Sequence, residues 1–448
     1  MVIRMMMVNN CKLIIRDFLS RYEMYYKNIS ARDLFHGFLD EMEKGLAGEK
    51  SSLKMIPTYI MESQSITAGK PVIVIDIGGT NVRIATICFD VLGNPVINDY
   101  KTYPTPGIQV EISCDDFFRT IARYLEPVIS KSDLIGCCFS FATVPKANKD
   151  ATVIATGKQL KVKDLVGAKV AESLKKALIE ENLESNKKVV VLNDSVAAVL
   201  GGEAACGNRK FSGHVGFILG TGTNICYVEK SSNIKKIDDV DPIGEMIINV
   251  ESCGYNGFQR GDIDREFDEM LIDSGEDQYE KMVSGRYQGG LILKVIQKAA
   301  SEKLFSKKFI EKISSIKDLS AIEIDDFLNY PYCGNRLAQC CASESDTTGA
   351  NDDHDLLYYI IDALNERSAL LCAIVLGAVI YKAGIGRDPC CPAYVTAEGS
   401  TFYESKNFRE KLNYYVRTFL NDEIGLYPEF FKVKDATLIG TGIAGLTN

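Results

Sequence analysis

Four short runs of small residues carry the first chemical signal in this chain: Gly78-Gly79-Thr80, Gly220-Thr221-Gly222-Thr223, Gly399-Ser400-Thr401 and Gly440-Thr441-Gly442. A turn of this composition has no bulky Cβ in the way, so several backbone N–H groups can converge on one anion. One such turn means little, because loops use Gly and Thr freely. Four in one chain, the first two flanked by apolar segments on both sides, point to a phosphate site assembled from separate turns. Two carboxylates have matching positions. Asp194 closes the apolar run 189–193 ahead of a small-residue helix, and Asp76 closes the run 71–75. Open α/β sheets hold ligands at strand ends. Asp194 is thereby a candidate ligand-site residue, and Asp76 a carboxylate able to orient a hydrated Mg²⁺. The plain structural roles of such residues are a helix N-cap and turn hydrogen bonding.

Other nucleotide chemistries are excluded by what is missing. No GxxxxGK[ST] loop occurs, no GxGxxG follows the first strand, and HRD and DFG are absent. His36, His214 and His354 stand in no metal-ligand spacing. The fourteen cysteines form no compact framework and include three adjacent pairs, so they read as reduced thiols of a cytoplasmic protein. With 51 Lys and Arg against 60 Asp and Glu, the net charge of −9 gives no general basic field, and nucleic acid is not an expected partner.

These groups need a scaffold. At 448 residues, 46% hydrophobic and 25% charged, the chain has enough apolar surface for two or three folded domains. Residues 1–50 place Leu13, Phe18, Tyr22, Leu34, Phe35, Leu39 and Met42 at helical spacing and predict two amphipathic helices. The softer stretch 63–69 reads as a linker. The first twenty residues are apolar only in bursts, which makes a poor signal peptide, and the longest apolar run, 369–381, is too short for a membrane span and predicts a buried helix. Residues 71–90 read as a β-hairpin with a glycine turn, followed by a strand at 96–103, a helix over 115–129, and strands at 134–144 and 188–194. Residues 214–229 repeat that hairpin grammar, which suggests a duplicated α/β architecture. Strands at 247–250 and 394–396, helices over 277–288, 290–299, 321–328 and 356–381, and a polar loop at 342–355 fill out the second unit. Residues 436–439 with the 440–442 turn read as one more strand and turn.

In this order the motifs resemble the eukaryotic hexokinase/glucokinase family, within the sugar kinase, actin and Hsp70 superfamily. The residues that carry the likeness are DIGGTNVR at 76–83, LNDSVA at 192–197, GTGTN at 220–224, QYEKMVSGRY at 278–287, EGS at 398–400 and GTG at 440–442. The likeness extends over about residues 10–445. It implies an α/β protein with a duplicated ribonuclease H-like (actin-like ATPase) fold, two lobes and a central ligand cleft. Residues 1–70 would be N-terminal helices on the large lobe plus a linker, 71–194 the small lobe completed by 431–448, and 195–430 the large lobe. The implied activity is ATP-dependent phosphorylation of a D-hexose, glucose foremost, at its C6 hydroxyl. That gives hexose 6-phosphate and ADP, the first step of glycolysis, with Mg²⁺ held mainly through ATP and water near Asp76. The expected partners are glucose and related hexoses, with no membrane span and a monomer or homodimer.

Carried over by motif, Asp194 is the general base toward the C6 hydroxyl. Ser140, Phe141, Thr156, Lys158, Asn193, Asn224, Glu251 and Glu280 join it around the sugar. The nucleotide falls to Asp76, Gly78, Gly79, Thr80, Asn81 and Arg83 on the first hairpin and to Gly220, Thr221, Gly222 and Thr223 on the second, with Gly399, Ser400, Gly440 and Thr441 from the later turns. The chain departs from the family at three points. Ala142 follows Phe141 where the family has proline, and Thr156-Gly157-Lys158-Gln159 shifts the family's lysine by one position. The chain also ends soon after the 440–442 turn, where the family continues into a helix near the hinge.

Overall fold

The computed structural model describes residues 2–61, 66–156, 160–206, 209–238, 241, 243–341 and 352–447, with 2–9 as backbone only. Lys158, part of the 63–69 linker and most of the 342–355 loop lie outside the described residues.

The apolar runs form β1 (Ile56–Pro57), β2 (Val72–Ile77), β3 (Asn81–Phe89), β4 (Pro95–Pro104), β5 (Leu134–Phe139) and β6 (Lys188–Leu192). They continue with β7 (Gly213–Leu219), β8 (Thr223–Lys230), β9 (Glu245–Asn249), β10 (Ala393–Glu398) and β11 (Pro428–Phe431). A five-stranded sheet has the order β6-β5-β2-β3-β4, and a six-stranded sheet the order β1-β9-β8-β7-β10-β11. In each, a hairpin and a third strand run antiparallel, and two parallel strands extend the other side of the first strand. The same unit therefore occurs twice, as the repeated hairpins led one to expect. Each central strand is buried on both faces, which suits its β-branched sequence, VIVIDI in β2.

The helices that matter for the cleft are α1 (Val2–Arg21), α2 (Ala31–Ala47), α3 (Cys114–Leu125), α4 (Val170–Glu180), α5 (Asp194–Ala205) and α6 (Gln278–Val283). After them come α7 (Gly285–Ser301), α8 (Ala321–Asn329), α9 (Asp353–Ala383), α10 (Ser400–Glu404) and α11 (Ala436–Thr447). Helices α3 and α4 cover one face of the small sheet, with Phe117, Ile121 and Leu125 meeting Leu174 and Leu178. Helix α2 sets Phe35, Phe38 and Met42 into the core of the large lobe. Helix α9 is long and apolar enough to cross a membrane, and here that stretch is almost wholly buried inside the large lobe. All fourteen cysteines are free thiols.

Three segments differ from the sequence reading. The strand expected over 134–144 ends at Phe139, and after a break at 140–142 the residues Thr143–Pro145 pair antiparallel with Ala151–Val153 in a separate two-stranded sheet. The helix expected over 277–288 is broken: Ser284 is extended (φ −84°, ψ 152°), and α7 starts at Gly285, whose N–H donates to the Gly220 carbonyl at 2.9 Å. A tertiary bond to the second hairpin thus sets the helix start.

The larger correction is at 436–442. The expected strand and turn is the body of α11, twelve residues long, so the C-terminal helix expected to be missing is present. Its Thr, Ile and Gly content favours a strand and turn locally, and packing overrides that preference. Helix α5 lies on the large sheet, α11 on the small sheet, and the two cross at the seam between lobes. A Cβ on Gly440 would fall 1.8 Å from the Ala197 carbonyl oxygen, and one on Gly201 2.2 Å from that of Ala436. Backbone meets backbone there, which only glycine permits. Gly440 and Thr441 are therefore buried helix residues, and their expected place beside a nucleotide is withdrawn.

Candidate active site

Strand β6 delivers Asn193 and Asp194 to the cleft by ending there. Asn193 is the N-cap of α5: its Oδ1 accepts from the Ser195 N–H at 3.0 Å and from the Ser195 hydroxyl at 2.6 Å. Asp194 Oδ1 shares the same N–H at 2.8 Å. The capping role foreseen for Asp194 is shared with its neighbour Asn193, and only Oδ1 of the Asp194 carboxylate is engaged in it. Burial, with smaller additions from Asp76 and Glu251, pushes its pKa up to about 7.

Behind it lies an amide and carboxylate network. Asn224 Nδ2 donates to Asn249 Oδ1 at 2.8 Å and to Glu251 Oε1 at 3.1 Å, and Asn249 Nδ2 donates to Glu251 Oε1 at 2.8 Å. Strands β8 and β9 supply Asn224 and Asn249, while Glu251 follows β9 in a left-handed conformation (φ 55°) that a non-glycine residue adopts at a cost. Lys54 Nζ stands 3.8 Å from Glu251 Oε2. Glu280 comes from α6 and accepts the Thr223 N–H at 2.9 Å. A Cβ on Gly222 would sit 2.8 Å from Glu280 Oε2, so glycine keeps the second hairpin and this carboxylate in contact. Burial again pushes the Glu280 pKa up to about 7, with Asp277 and Glu251 adding to it. A cavity of about 20 Å³, room for one water, touches Asn193, Asn249, Glu251, Ala142 and Thr143. Ser140 is half-buried directly after β5, and its N–H donates to Ile77 O at 3.1 Å. The ring of Phe141 packs edge-on against Phe139 in the small-lobe core, which leaves only its backbone for a ligand. Thr156 is half-buried beside the segment that carries Lys158.

The turns come from both sheets. Gly79, Thr80 and Asn81 are exposed at the tip of the first hairpin, and a Cβ on Gly79 would meet only open space. The N–H of Gly78 donates to Asn81 O at 3.0 Å and the Thr105 hydroxyl to Gly78 O at 2.8 Å, which fixes the turn. Asp76 is buried and paired with Arg83, whose Nε lies 2.7 Å from Asp76 Oδ2 and whose Nη2 also donates to the Thr437 hydroxyl at 2.8 Å. Across the cleft, Gly220 N–H donates to Gly222 O at 2.9 Å, and the Thr401 hydroxyl to Gly220 O at 2.8 Å. Gly399 (φ 113°) joins β10 to α10, where a Cβ would lie 2.2 Å from the Leu219 carbonyl oxygen. A cavity of about 240 Å³ opens beside these turns, lined by Thr221, Gly285, Arg286, Asp325, Ser400 and Thr401 among others.

The sequence reading missed Asn249, Arg286, Asp325 and Thr437. Asn249 stands two residues before Glu251, and Arg286 lies inside the 278–287 run itself, so a motif was the signal for both. Asp325 belongs to a segment with no motif, and Thr437, three residues ahead of the 440–442 run, was read as strand; only the fold brings their side chains in. Chemically, the site joins amides and carboxylates of the kind that pair with hydroxyls, a carboxylate pushed toward neutrality, and small-residue turns beside an open cavity.

Residues 15–204 and 214–447 each match a family model described as Hexokinase. A hexokinase of Schistosoma mansoni is 32% identical over 282 residues, covering 59% of this chain and 60% of that protein. Hexokinase-1 of Mus musculus is 28% identical over 371 residues, covering 78% of this chain and 37% of that protein. The chain thus spans less than two thirds of the length of these relatives. The solved structure of hexokinase from Schistosoma mansoni complexed with glucose superposes with a TM-score of 0.76 at 22% identity, covering 98% of this chain and 100% of that one. A second solved hexokinase structure gives 0.72 at 19% identity, covering 97% and 99%. With the two sheets repeating one topology around a shared cleft, and family models covering first the smaller and then the larger half, this chain belongs to the hexokinase family.

Proposed function

We propose that the protein transfers the γ-phosphoryl group of ATP to the C6 hydroxyl of a hexose, glucose foremost, releasing hexose 6-phosphate and ADP. The observation that carries this reading is the Asp194 carboxylate, held at the end of β6 with a pKa of about 7 between the hydroxyl-pairing network and the turns. In its ionised form it accepts the proton of the attacking hydroxyl, and the proton comes to rest on the free carboxylate oxygen. The oxygen then attacks the γ-phosphorus in line, while turn N–H groups hold charge on the phosphoryl oxygens. Asn193, Asn224, Glu251 and Glu280 position a polyol by pairing with its hydroxyls, and a sugar that leaves one unpaired is discriminated against.

The residues fit a bound Mg²⁺–ATP. The cavity beside the second hairpin accepts a nucleoside, and Gly79 leaves the first turn open to phosphate. The metal neutralises phosphate charge when bound. Asp76 is engaged by Arg83, and among the described residues no group of three His, Cys, Asp or Glu side chains could hold a metal. Holding the ion through phosphate oxygens and water suits this arrangement. The fourteen free thiols support a reducing, cytoplasmic setting.

Asp194→Ala tests the role directly. It should lower kcat by about 10²–10⁴, the usual worth of a general base, with glucose affinity retained in a calorimetric titration. Turnover at the wild-type rate would sink the assignment.

A further inference from the structure

Away from the cleft, the fold brings a nucleophile and a base together. Cys206 caps the C-terminal end of α5, about 18 Å along that helix from Asp194. His214 stands at the start of β7, and its Nε2 lies 2.9 Å from the Cys206 Sγ. Both residues are half-buried, so a small reagent can reach the sulfur. Among the described residues no other thiol meets an imidazole. Cys226 pairs with the Ser195 hydroxyl and Cys372 with that of Tyr279, while Cys333 and Cys390 are exposed with no partner at sulfur.

The thiolate is the reactive form of cysteine, and an isolated thiol is only slightly ionised at neutral pH. An imidazole at hydrogen-bond distance changes this by taking the thiol proton and pairing with the anion that remains. The other contact of the sulfur, to the Gly202 carbonyl at 3.4 Å, is longer and is an ordinary helix-end bond. On the neighbouring strand β10, the Tyr394 ring packs with its centroid 5.4 Å from that of His214 and helps to hold the imidazole in place. Glu429, beside Tyr394 on β11, is paired with Arg209 and does not claim the imidazole.

We propose that Cys206, with His214 as its proton acceptor, is a site of reversible oxidation by hydroperoxides. The thiolate attacks one peroxide oxygen, the S–O bond forms as the O–O bond breaks, and sulfur gives up two electrons. The imidazolium proton goes to the departing oxygen, which leaves as water or an alcohol. The product is a sulfenic acid, which a thiol reductant returns to the thiol. The test treats the full chain with hydrogen peroxide at neutral pH in the presence of dimedone, a trap for sulfenic acids, and reads each cysteine by peptide mass spectrometry. Cys206 should be trapped before the more exposed Cys333 and Cys390. His214→Gln should slow its trapping about 10-fold, because a thiol without a base is ionised to only a few per cent at pH 7. His214→Phe, which keeps a ring against Tyr394, serves for the same comparison if the Gln variant does not fold. Dithiothreitol added after the peroxide and ahead of dimedone should abolish the adduct. Earlier trapping of Cys333 or Cys390, an unchanged rate in the variant, or an adduct that survives dithiothreitol overturns the proposal.

Discussion

Asp194 and Glu280 are pushed up to about 7 by the same cause, burial that disfavours their charged forms, and other carboxylates of the cleft add to it. The sign of the consequence follows from linkage. A carboxyl whose pKa is raised by folding holds its proton more tightly in the native state, so stability from this source is full below the unfolded value near 4 and is lost as pH rises through about 7. Asp194→Asn removes the charge and should raise the melting temperature by a few degrees at pH 8, with the gain vanishing toward pH 4. A gain that is equal at both pH values would contradict the buried-charge explanation. Asp194 and Asn193 were visible in the sequence because a strand end followed by a small-residue helix is a local pattern. Thr437 was invisible because its hydroxyl meets Arg83 only after the chain has returned from 354 residues away.

At the scale of elements, the hairpins announced themselves and the last helix did not. Gly78-Gly79-Thr80 and Gly220-Thr221-Gly222 lie between strongly apolar runs, and both are hairpin turns. The segment ATLIGTGIAGLT carries the same residue types, yet its glycines serve the crossing of α11 with α5. The small residues are spaced for a helix contact, a signal that composition hides. Gly440→Ala separates the two readings. Overpacking against the Ala197 carbonyl should destabilise the protein by about 1–3 kcal/mol, measured by urea denaturation, and the KM for ATP should change little in the folded fraction. Unchanged stability with a raised KM for ATP would restore the turn reading. The missed break at Ser284 has a similar origin, since the bond from Gly285 to Gly220 joins residues far apart in sequence.

At the scale of the molecule, duplication was legible because it repeats a pattern, whereas the seam was not. The strand order of the two sheets and their pairing directions match, and α5 and α11 meet between them with almost no side chain in the way. The side chains proposed to pair with the sugar come from both sides: Ser140 follows a strand of the small sheet, and Asn224, Glu251 and Glu280 belong to the large lobe. A site divided in this way suits the proposed reaction, in which an acceptor sugar completes the cleft and keeps out the water that would otherwise take the phosphoryl group. The most direct measurement is ADP release from Mg²⁺–ATP across a panel of hexoses, beside a control without sugar. Fast release that requires a hexose, greatest with glucose and negligible in its absence, is the predicted result. Release that proceeds equally without sugar, or none with any hexose despite calorimetric glucose binding, would contradict the proposed phosphotransfer.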